Sequence, residues 1–342
     1  MPKSKQGTVT AQDVADLAGV SRAAVSRTLT NNGSVSPDTR AKVEKAAKQL
    51  GYQVNFLAQG LNRKRSLLIG VVVARLSDPF RSRLLESLIN EIQAKGYQAL
   101  VTEVGSAQEL EATIRRFTQF RVSGVIVTSG QPPTELIKEC IQFNIPVVGI
   151  NRYSEIPSVD FVCSDNVAGA ELAAQQLIDS GCQRPGWLNF PNSTWGGVNR
   201  GEAFFESLQG RAPELFKTLL PIWAKSDGYE GGRLAAHELC QNKQVVDGVF
   251  CANDLLACGF LDGMREQGLD APKDFQLIGF DDTPQAAQYS YRLSTIRQDA
   301  VAVARRALWC LASRGNNAEL AQRMETVPVS LVLRHTSPPL NH

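Results

Sequence analysis

Hydrophobic positions along this 342-residue chain recur with two different periods. After residue 66, short apolar runs of strand length alternate with segments whose apolar residues recur every three or four positions, as in amphipathic helices. Such alternation predicts parallel sheets covered by helices on both faces. The predicted strands are 66–73, 98–104, 124–128, 146–150 and 161–162, then 186–190, 219–223, 245–251 and 275–280, and the predicted helices include 80–95, 108–120 and 134–143. Two sets of strands predict two lobes, and the length of the chain leaves room for a small additional domain.

The first 65 residues show only helical spacing. Thr10 can cap a helix, with Asp13 completing a capping box, and Gly19 suits the left-handed residue that ends it. Ser21 can cap a second helix, and Ser36-Pro37 begins a third. The predicted buried stripe of the first helix is Val14, Leu17 and Ala18. Three short helices around one small core are predicted.

The second of these helices has the pattern of a DNA-recognition helix. Val25 and Leu29 are predicted to face inward, which leaves Arg22, Ala23, Ser26 and Arg27 outward. Arginine on such a helix can bond guanine O6 and N7 in a major groove. Charge agrees, because residues 1–65 carry 11 Lys and Arg against 4 Asp and Glu, while the remainder carries 25 against 30. The alternative is a small helical cap whose arginines are merely solvated.

A family resemblance rests on many separate pieces of this segment. They are Asp13-Val14-Ala15, Gly19-Val20-Ser21, Val25-Ser26-Arg27, Val35-Ser36, Thr39-Arg40, Gly51-Tyr52 and Asn55. In order and spacing they resemble the LacI/GalR family of bacterial transcription repressors, and the resemblance continues almost to the C-terminus. It implies a cytoplasmic, homodimeric, sequence-specific repressor whose affinity for double-stranded operator DNA is controlled by a small effector.

The resemblance also implies an α/β architecture in three parts. A helix-turn-helix domain would span residues 1–54, a hinge helix 55–65, and a two-lobed periplasmic-binding-protein-like body 66–342 with parallel sheets. One lobe would comprise about 66–162 and 296–326, and the other about 163–293 and 327–340. The chain would cross between the lobes near 163–164, 294–298 and 325–329.

By the same resemblance, the DNA contacts come from the head and the hinge. Leu61 would wedge into the minor groove and partly unstack a base step, at roughly a few kcal/mol. Residues 63–65, Arg-Lys-Arg, either contact phosphates or form a solvated charge run. The implied contact residues are Thr10, Ser21, Arg22, Ala23, Ser26, Arg27, Asn31, Asn55, Ala58 and Leu61.

Effector contacts are predicted at the carboxyl ends of strands, where ligands collect in open parallel sheets. Asn151, Asn253 and Asp281 each follow a predicted strand, and Arg200 opens a helix predicted over 201–208. Gln298 lies in a crossing strand predicted to line the cleft from the other side. Each has a structural alternative: Asp254, beside Asn253, is the predicted cap of the following helix, and Asp281-Asp282 can form a turn. The resemblance implies effector contact for five residues, namely Asn151, Arg200, Asn253, Asp281 and Gln298.

Aromatic side chains and the charged pair suggest the effector class. Phe80 and Trp223, like Trp195, can form either pocket walls or core. An arginine with a carboxylate suits adjacent hydroxyls, so Arg200 and Asp281 favour a sugar or sugar derivative. Asn151 stands where sugar-binding relatives often have aspartate. This loss of a carboxylate, with Arg75 and Arg81 expected near the cleft mouth, makes an acidic sugar a variant of this hypothesis. The alternative function is a corepressor-activated regulator that senses a nucleobase or nucleoside.

Other classes of function find little support. The sequence has no Gly-x-Gly-x-x-Gly after a strand, no P-loop and no Gly-x-Ser-x-Gly, so we expect neither enzymatic activity nor a cofactor. A secreted solute-binding protein shares the two-lobed fold, but the polar N-terminus and the DNA-binding head argue against it. Seven scattered cysteines and three histidines predict free thiols without a metal site, with a redox sensor as the alternative. No apolar run approaches the roughly 20 residues of a membrane span.

Overall fold

The computed structural model describes residues 9–29, 35–53, 66–128, 134–153, 155, 158–191, 193–317 and 320–337. The chain divides into two compact units, Met1–Ser66 and Leu67–His342. They are called here the head and the body. Among the helices of the described residues, none is long and apolar enough to cross a membrane.

Over residues 9–29 and 35–53, which are described, the head forms three helices, α1 (Ala11–Ala18), α2 (Arg22–Leu29) and α3 (Pro37–Leu50). The predicted capping box of Thr10 and Asp13 is confirmed, and Gly19 ends α1 in the left-handed region with φ 66°. Ser36 caps α3 as predicted. The core consists of Val14, Ala15, Val25, Val43, Ala46 and Ala47.

One position of the predicted stripe of α1 is wrong. Leu17 is 46% exposed, and Ala15 is buried instead. At about 100° per residue, Val14, Ala18 and Ala15 span one continuous arc of the helix, and Leu17 lies outside it. The core of the head is built on small residues that allow the three helices to approach closely.

The first lobe of the body is built on a six-stranded sheet whose strands run in the order β11-β5-β4-β3-β1-β2. All five strand pairs are parallel, as the sequence predicts. Its elements are β1 (Leu68–Val73), α4 (Pro79–Ala94), β2 (Gln98–Glu103), α5 (Ala107–Gln119), β3 (Gly124–Val127), α6 (Thr134–Gln142), β4 (Val147–Ile150), β5 (Val159–Ser164), α12 (Ala300–Asn316) and β11 (Met324–Val327). The helices cover both faces, and α5 packs so closely that a Cβ on Gly70 would lie 2.3 Å from the ring of Phe117.

The second lobe has a sheet of the same size, ordered β12-β10-β9-β8-β6-β7. Four pairs are parallel, but β12 runs antiparallel to β10. Its elements are α7 (Asn166–Asp179), β6 (Pro185–Asn189), α8 (Trp195–Arg211), α9 (Pro213–Phe216), β7 (Leu220–Trp223), α10 (Tyr229–Gln241), β8 (Gly248–Cys251), α11 (Asp254–Glu266), β9 (Gln276–Asp281), β10 (Ser294–Gln298) and β12 (Val329–Val332). Its core is centred on Trp187, Phe204 and Phe250, whose rings pack against one another.

The chain crosses between the lobes three times. The crossings follow β5, β10 and β11. Strand β10 pairs with β9 and β12, so all of Ser294–Gln298 belongs to the second lobe. The predicted boundary, which ended the second lobe at residue 293 and resumed the first lobe at residue 296, is therefore wrong. The second crossing comes after Gln298. The third crossing, between Val327 and Val329, falls within its predicted range.

The cysteines are free, as the sequence predicts. Six are buried and Cys240 is partly exposed. Burial raises the pKa of the Cys140 thiol to about 12 and that of the Cys163 thiol to about 11. Thiols protonated in this way are poor nucleophiles, which disfavours the redox-sensor alternative. Within the described ranges, no group of three or more His, Cys, Asp or Glu is placed to hold a metal ion.

Candidate functional site

Helix α2 of the head presents two arginines on one exposed surface. Arg22 and Arg27 are exposed together with Ala23 and Ser26, whereas Val25 is buried as predicted. The Nε of Arg27 donates to the carbonyl of Ala23 at 3.3 Å, which aligns its side chain along the helix. This orientation leaves guanidinium groups available to a groove of DNA.

Two further predicted contact residues of the head act as helix caps. The Ser21 hydroxyl accepts a hydrogen bond from the Ala24 amide at 3.2 Å, and Thr10 is engaged with Asp13. Both residues are exposed. Four other predicted contact residues lie outside the described residues and remain predictions: Asn31, Asn55, Ala58 and Leu61. The basic run 63–65 lies outside them as well.

The body contains a cavity of about 290 Å³ between its two lobes, at the carboxyl ends of strands from both sheets. Six of the seven predicted effector residues line it: Phe80, Asn151, Arg200, Asn253, Asp281 and Gln298. The other lining residues are Asp78, Arg81, Leu84, Thr128, Arg152, Tyr153, Phe190, Ser193, Thr194, Trp195, Gly196, Gly197, Asp227 and Ala252.

Trp223 is a correction, because it does not line this cavity. It ends β7, the outermost strand of its sheet, and is 56% exposed. The ends of β9 and β10 help to form the cavity wall, and β7 is separated from β9 by two strands. Trp195, at the start of α8, lines the cavity instead.

Arg200 lies within a helix rather than at its start. Helix α8 begins at Trp195, capped by Thr194, because Gly196 and Gly197 are helical despite their low helix propensity. The buried guanidinium donates from Nε to Asn166 Oδ1 at 2.8 Å and from Nη1 to the Ala252 carbonyl at 2.6 Å. Burial lowers the pKa of Arg200 to about 10.

These contacts orient Arg200 without neutralising it. The guanidinium stacks on the Phe280 ring, 3.4 Å from the ring centre. Within the described residues it forms no ion pair. Nearby carboxylates favour its charged form, and Asp281 has the largest effect among them. A preorganised, buried cation of this kind can bind ligand hydroxyl or carboxylate oxygens.

Asp281 and Gln298 form a buried pair on the second lobe. Gln298 Nε2 donates to Asp281 Oδ1 at 2.5 Å. Gln298 therefore lies on the same side as Asp281, and the prediction that it lines the cleft from the other side is wrong. The backbone of Asp281 has φ 132°, an uncommon conformation that is often found at ligand sites. Burial raises the pKa of Asp281 well above its usual value, and the charge of Arg200 opposes that rise.

Asn253 links the start of α11 to the cavity. Its side-chain oxygen accepts from the Leu256 amide at 2.8 Å, so Asn253, and not Asp254 as predicted, is the cap of α11. Its Nδ2 donates to Asp227 Oδ1 at 2.9 Å. Asp227 also accepts from Arg75 of the first lobe at 2.7 Å.

Asp254 is instead completely buried. Its carboxylate accepts hydrogen bonds from the backbone amide and hydroxyl of Thr283 at 2.7 and 3.1 Å, and from the Thr295 hydroxyl at 2.5 Å. Burial nevertheless raises its pKa to about 6. The side chain joins three segments beneath the cavity wall.

The first-lobe wall combines an aromatic ring with basic groups. Phe80 is 6% exposed and packs in the core of this lobe while also lining the cavity, so both of its predicted roles apply. Asn151 has φ 52°, and its Oδ1 accepts from the Ser164 amide at 3.3 Å. Arg81 and Arg152 line the same wall. Asp78 caps α4 by accepting from the amides of Phe80 and Arg81.

Sequence reasoning missed Arg152 and Asp227 as cavity residues. Arg152 directly follows Asn151 after β4, and Asp227 follows β7 by four residues. Both come from loops at carboxyl ends of strands, so the rule that identified Asn151 could have identified them.

Comparison with known proteins identifies relatives of both units. Residues 10–55 match the family model described as bacterial regulatory proteins, lacI family, and residues 174–337 match that of a periplasmic binding protein-like domain. The ribose operon repressor of Bacillus subtilis (strain 168) is 33% identical over 331 residues, which cover 96% of this chain and 98% of the relative.

Two solved structures resemble this one along most of the chain. A lac repressor dimer bound to operator and the anti-inducer ONPF has a TM-score of 0.86 at 25% identity, covering 97% of this chain and 100% of the other. A LacI family regulator from Enterococcus faecium with bound ribose has a TM-score of 0.71 at 25% identity, covering 80% of this chain and 100% of the other. The similarity to the lac repressor, which covers 97% of this chain, extends to the head as well as to the two-lobed body.

Proposed function

Because the chain belongs to the lacI family of bacterial regulatory proteins, we propose that it is a sequence-specific transcriptional repressor whose operator affinity is set by an effector bound between its lobes. The observation that carries this proposal is the presence, in one chain, of an exposed arginine-bearing helix and a buried polar cavity. The first supplies DNA recognition and the second supplies ligand control. Regulation of this kind requires no chemical step, so we assign no enzymatic activity, and the protein acts in the cytoplasm.

Helix α2 enters the major groove of operator DNA. Arg22 and Arg27 contact base edges there, and Ala23 and Ser26 allow the helix to approach closely. One head contacts only a few base pairs, so two chains act together on a near-palindromic site. The similar lac repressor is likewise a dimer on its operator.

The effector is a sugar or sugar derivative. Arg200 donates and Asp281 accepts, which together match adjacent hydroxyls. Asn253 and Gln298 add amide groups to the same second-lobe wall. The ribose operon repressors among the relatives, and the ribose bound to a similar regulator, support this class.

Selection from random double-stranded DNA tests the function without knowledge of the operator. The purified chain should enrich one near-palindromic motif after several rounds. Arg22→Ala with Arg27→Ala should abolish or broaden the enrichment, while Lys45→Ala with Lys48→Ala, which removes the same charge from exposed positions of α3, should enrich the original motif. Failure of the wild-type chain to enrich any motif would refute the proposed function.

A further inference from the structure

Arg152 lines the cavity and, like Arg200, forms no ion pair within the part of the chain that the structure describes. It follows β4 on the first-lobe wall, and no acceptor within the described residues receives a hydrogen bond from its guanidinium. Its Nε is completely buried. Burial lowers the pKa of Arg152 to about 10, and the nearby charge of Arg81 acts in the same direction. An unpaired buried charge is costly, so such a group is normally matched by a counter-charge.

Two acidic residues that line the cavity, Asp78 of the first lobe and Asp227 of the second lobe, already have partners. Asp78 accepts two amide hydrogen bonds at the start of α4, at 2.9 and 3.2 Å, and lies 3.4 Å from Arg81. Asp227 accepts from Arg75 at 2.7 Å and from Asn253 at 2.9 Å. Neither carboxylate forms an ion pair with Arg152.

The second-lobe wall does not supply the missing negative charge either. Arg200 is held by an amide oxygen and a carbonyl oxygen, which are neutral acceptors. Burial favours the neutral form of Asp281, since it raises the pKa of that carboxyl well above its usual value. Asp281 accepts a side-chain hydrogen bond from Gln298, so on the first-lobe side the Arg152 guanidinium is without a counter-charge among the described residues.

The residue before Arg152, Asn151, also lines this wall. Asn151 supplies a neutral amide where a carboxylate would compete for the guanidinium. Its Oδ1 is engaged by the Ser164 amide, which leaves the amide nitrogen as a donor. A donor beside a guanidinium suits an acceptor-rich anion.

We propose that the effector bears an anionic group, a carboxylate or a phosphate, which Arg152 receives on the first-lobe side while Arg200 and Asp281 hold its hydroxyls. This inference rests on the effector site of the proposed function and narrows it from sugars to acidic sugar derivatives. Guanidinium groups bind carboxylate and phosphate in bidentate geometry. A cavity of about 290 Å³ lies at the lower end of the range for ligand sites, so the effector is of monosaccharide size.

The test compares matched neutral and acidic ligands on the full-length chain. Thermal shift and titration calorimetry would use ribose with ribonate and ribose 5-phosphate, glucose with gluconate, glucuronate and glucose 6-phosphate, and galactose with galacturonate. We expect at least one acid to raise the Tm and to bind more tightly than its neutral counterpart. The sugar acids and the sugar phosphates distinguish the two anionic groups.

Variants show whether Arg152 is responsible. Arg152→Gln should weaken binding of that acid by about 10- to 100-fold, and Asn151→Asp should also weaken it by placing a like charge beside the anion. Arg116→Gln, which removes the same charge from exposed α5, should bind the acid like the wild type. The Tm of each ligand-free variant establishes that it is folded.

Three results would overturn the proposal: neutral sugars binding as tightly as every acid, no acid binding at all, or unchanged acid binding in Arg152→Gln. None of these results would affect the DNA selection experiment. Failure of the proposed repressor function and failure of the anionic-effector inference are therefore distinguishable.

Discussion

Arg75 of the first lobe and Asp227 of the second lobe form an ion pair across the cleft, with Nη1 2.7 Å from Oδ2. Arg75 follows β1 and Asp227 follows β7, so the pair joins loops from two different sheets. Asp227 lines the cavity and also accepts a hydrogen bond from Asn253. The Asp227 carboxylate therefore belongs both to this contact between the lobes and to the predicted effector site.

The Arg75–Asp227 pair should contribute a small, salt-dependent stabilisation. The Arg75 side chain is 47% exposed, and exposed pairs contribute about 0.2 to 1 kcal/mol. A double-mutant cycle with Arg75→Gln and Asp227→Asn, measured by urea unfolding, should give a coupling energy in that range. The coupling should shrink as salt rises, because screening weakens partly exposed pairs. A coupling of zero at low salt would mean that the pair does not hold the lobes together.

Arg22 and Arg27 should each determine sequence preference. Replacing either by alanine should cost about 1 to 3 kcal/mol of binding free energy and relax specificity at one base pair. Fluorescence anisotropy with the selected site and its single-base variants measures both quantities. Lys45→Ala is the control, because Lys45 is exposed on α3 and lies outside the surface of α2, so its loss should leave the preference for each base unchanged. If both arginine variants keep wild-type affinity and selectivity, the orientation assigned to α2 is incorrect.

The protein should be a dimer. The hinge helix is a prediction for residues 55–65, outside the described residues; a helix this short that contains Gly60 is expected to require a partner. Light scattering should give the mass of two chains, free and on DNA. A monomer at micromolar concentration in both states would contradict this prediction.

The stability of the body should depend on pH through Asp254. Burial raises the pKa of Asp254 to about 6. Its contribution to the free energy of unfolding is therefore fully present below its ordinary pKa and is lost as pH rises through about 6. Asparagine cannot ionise, so the cost of Asp254→Asn in free energy of unfolding should fall between about pH 5 and about pH 7.5. Urea unfolding measures this cost, with the exposed Asp179→Asn as a parallel reference. An equal cost at both pH values would show that the folded protein does not raise the pKa of Asp254.

Local sequence rules predicted much of the fold and of the site. The caps at Thr10 and Gly19 depend on neighbouring residues alone, and both are confirmed. The rule that ligands collect at carboxyl ends of strands placed Asn151, Asn253 and Asp281 in one cavity, because it depends only on strand direction.

The errors concern relationships between distant segments. Trp223 is exposed because β7 is the edge strand, and strand order is not visible in local pattern. Asp254 was predicted as a cap, yet it is buried against Thr283 and Thr295, which only the folded sheet brings near. The Arg75–Asp227 pair joins residues 152 positions apart, so no local pattern could indicate it.

The central claim is that a ligand in the cleft controls binding of the head to operator DNA. The direct measurement is the operator Kd with and without a saturating concentration of whichever ligand, neutral or acidic, binds most tightly, for the wild type and for Arg200→Ala. In the wild type the ligand should change the Kd by about 5- to 150-fold, the range expected for coupled sites. In Arg200→Ala the ratio of the two Kd values should approach one. A wild-type Kd unaffected by the bound ligand would contradict the account.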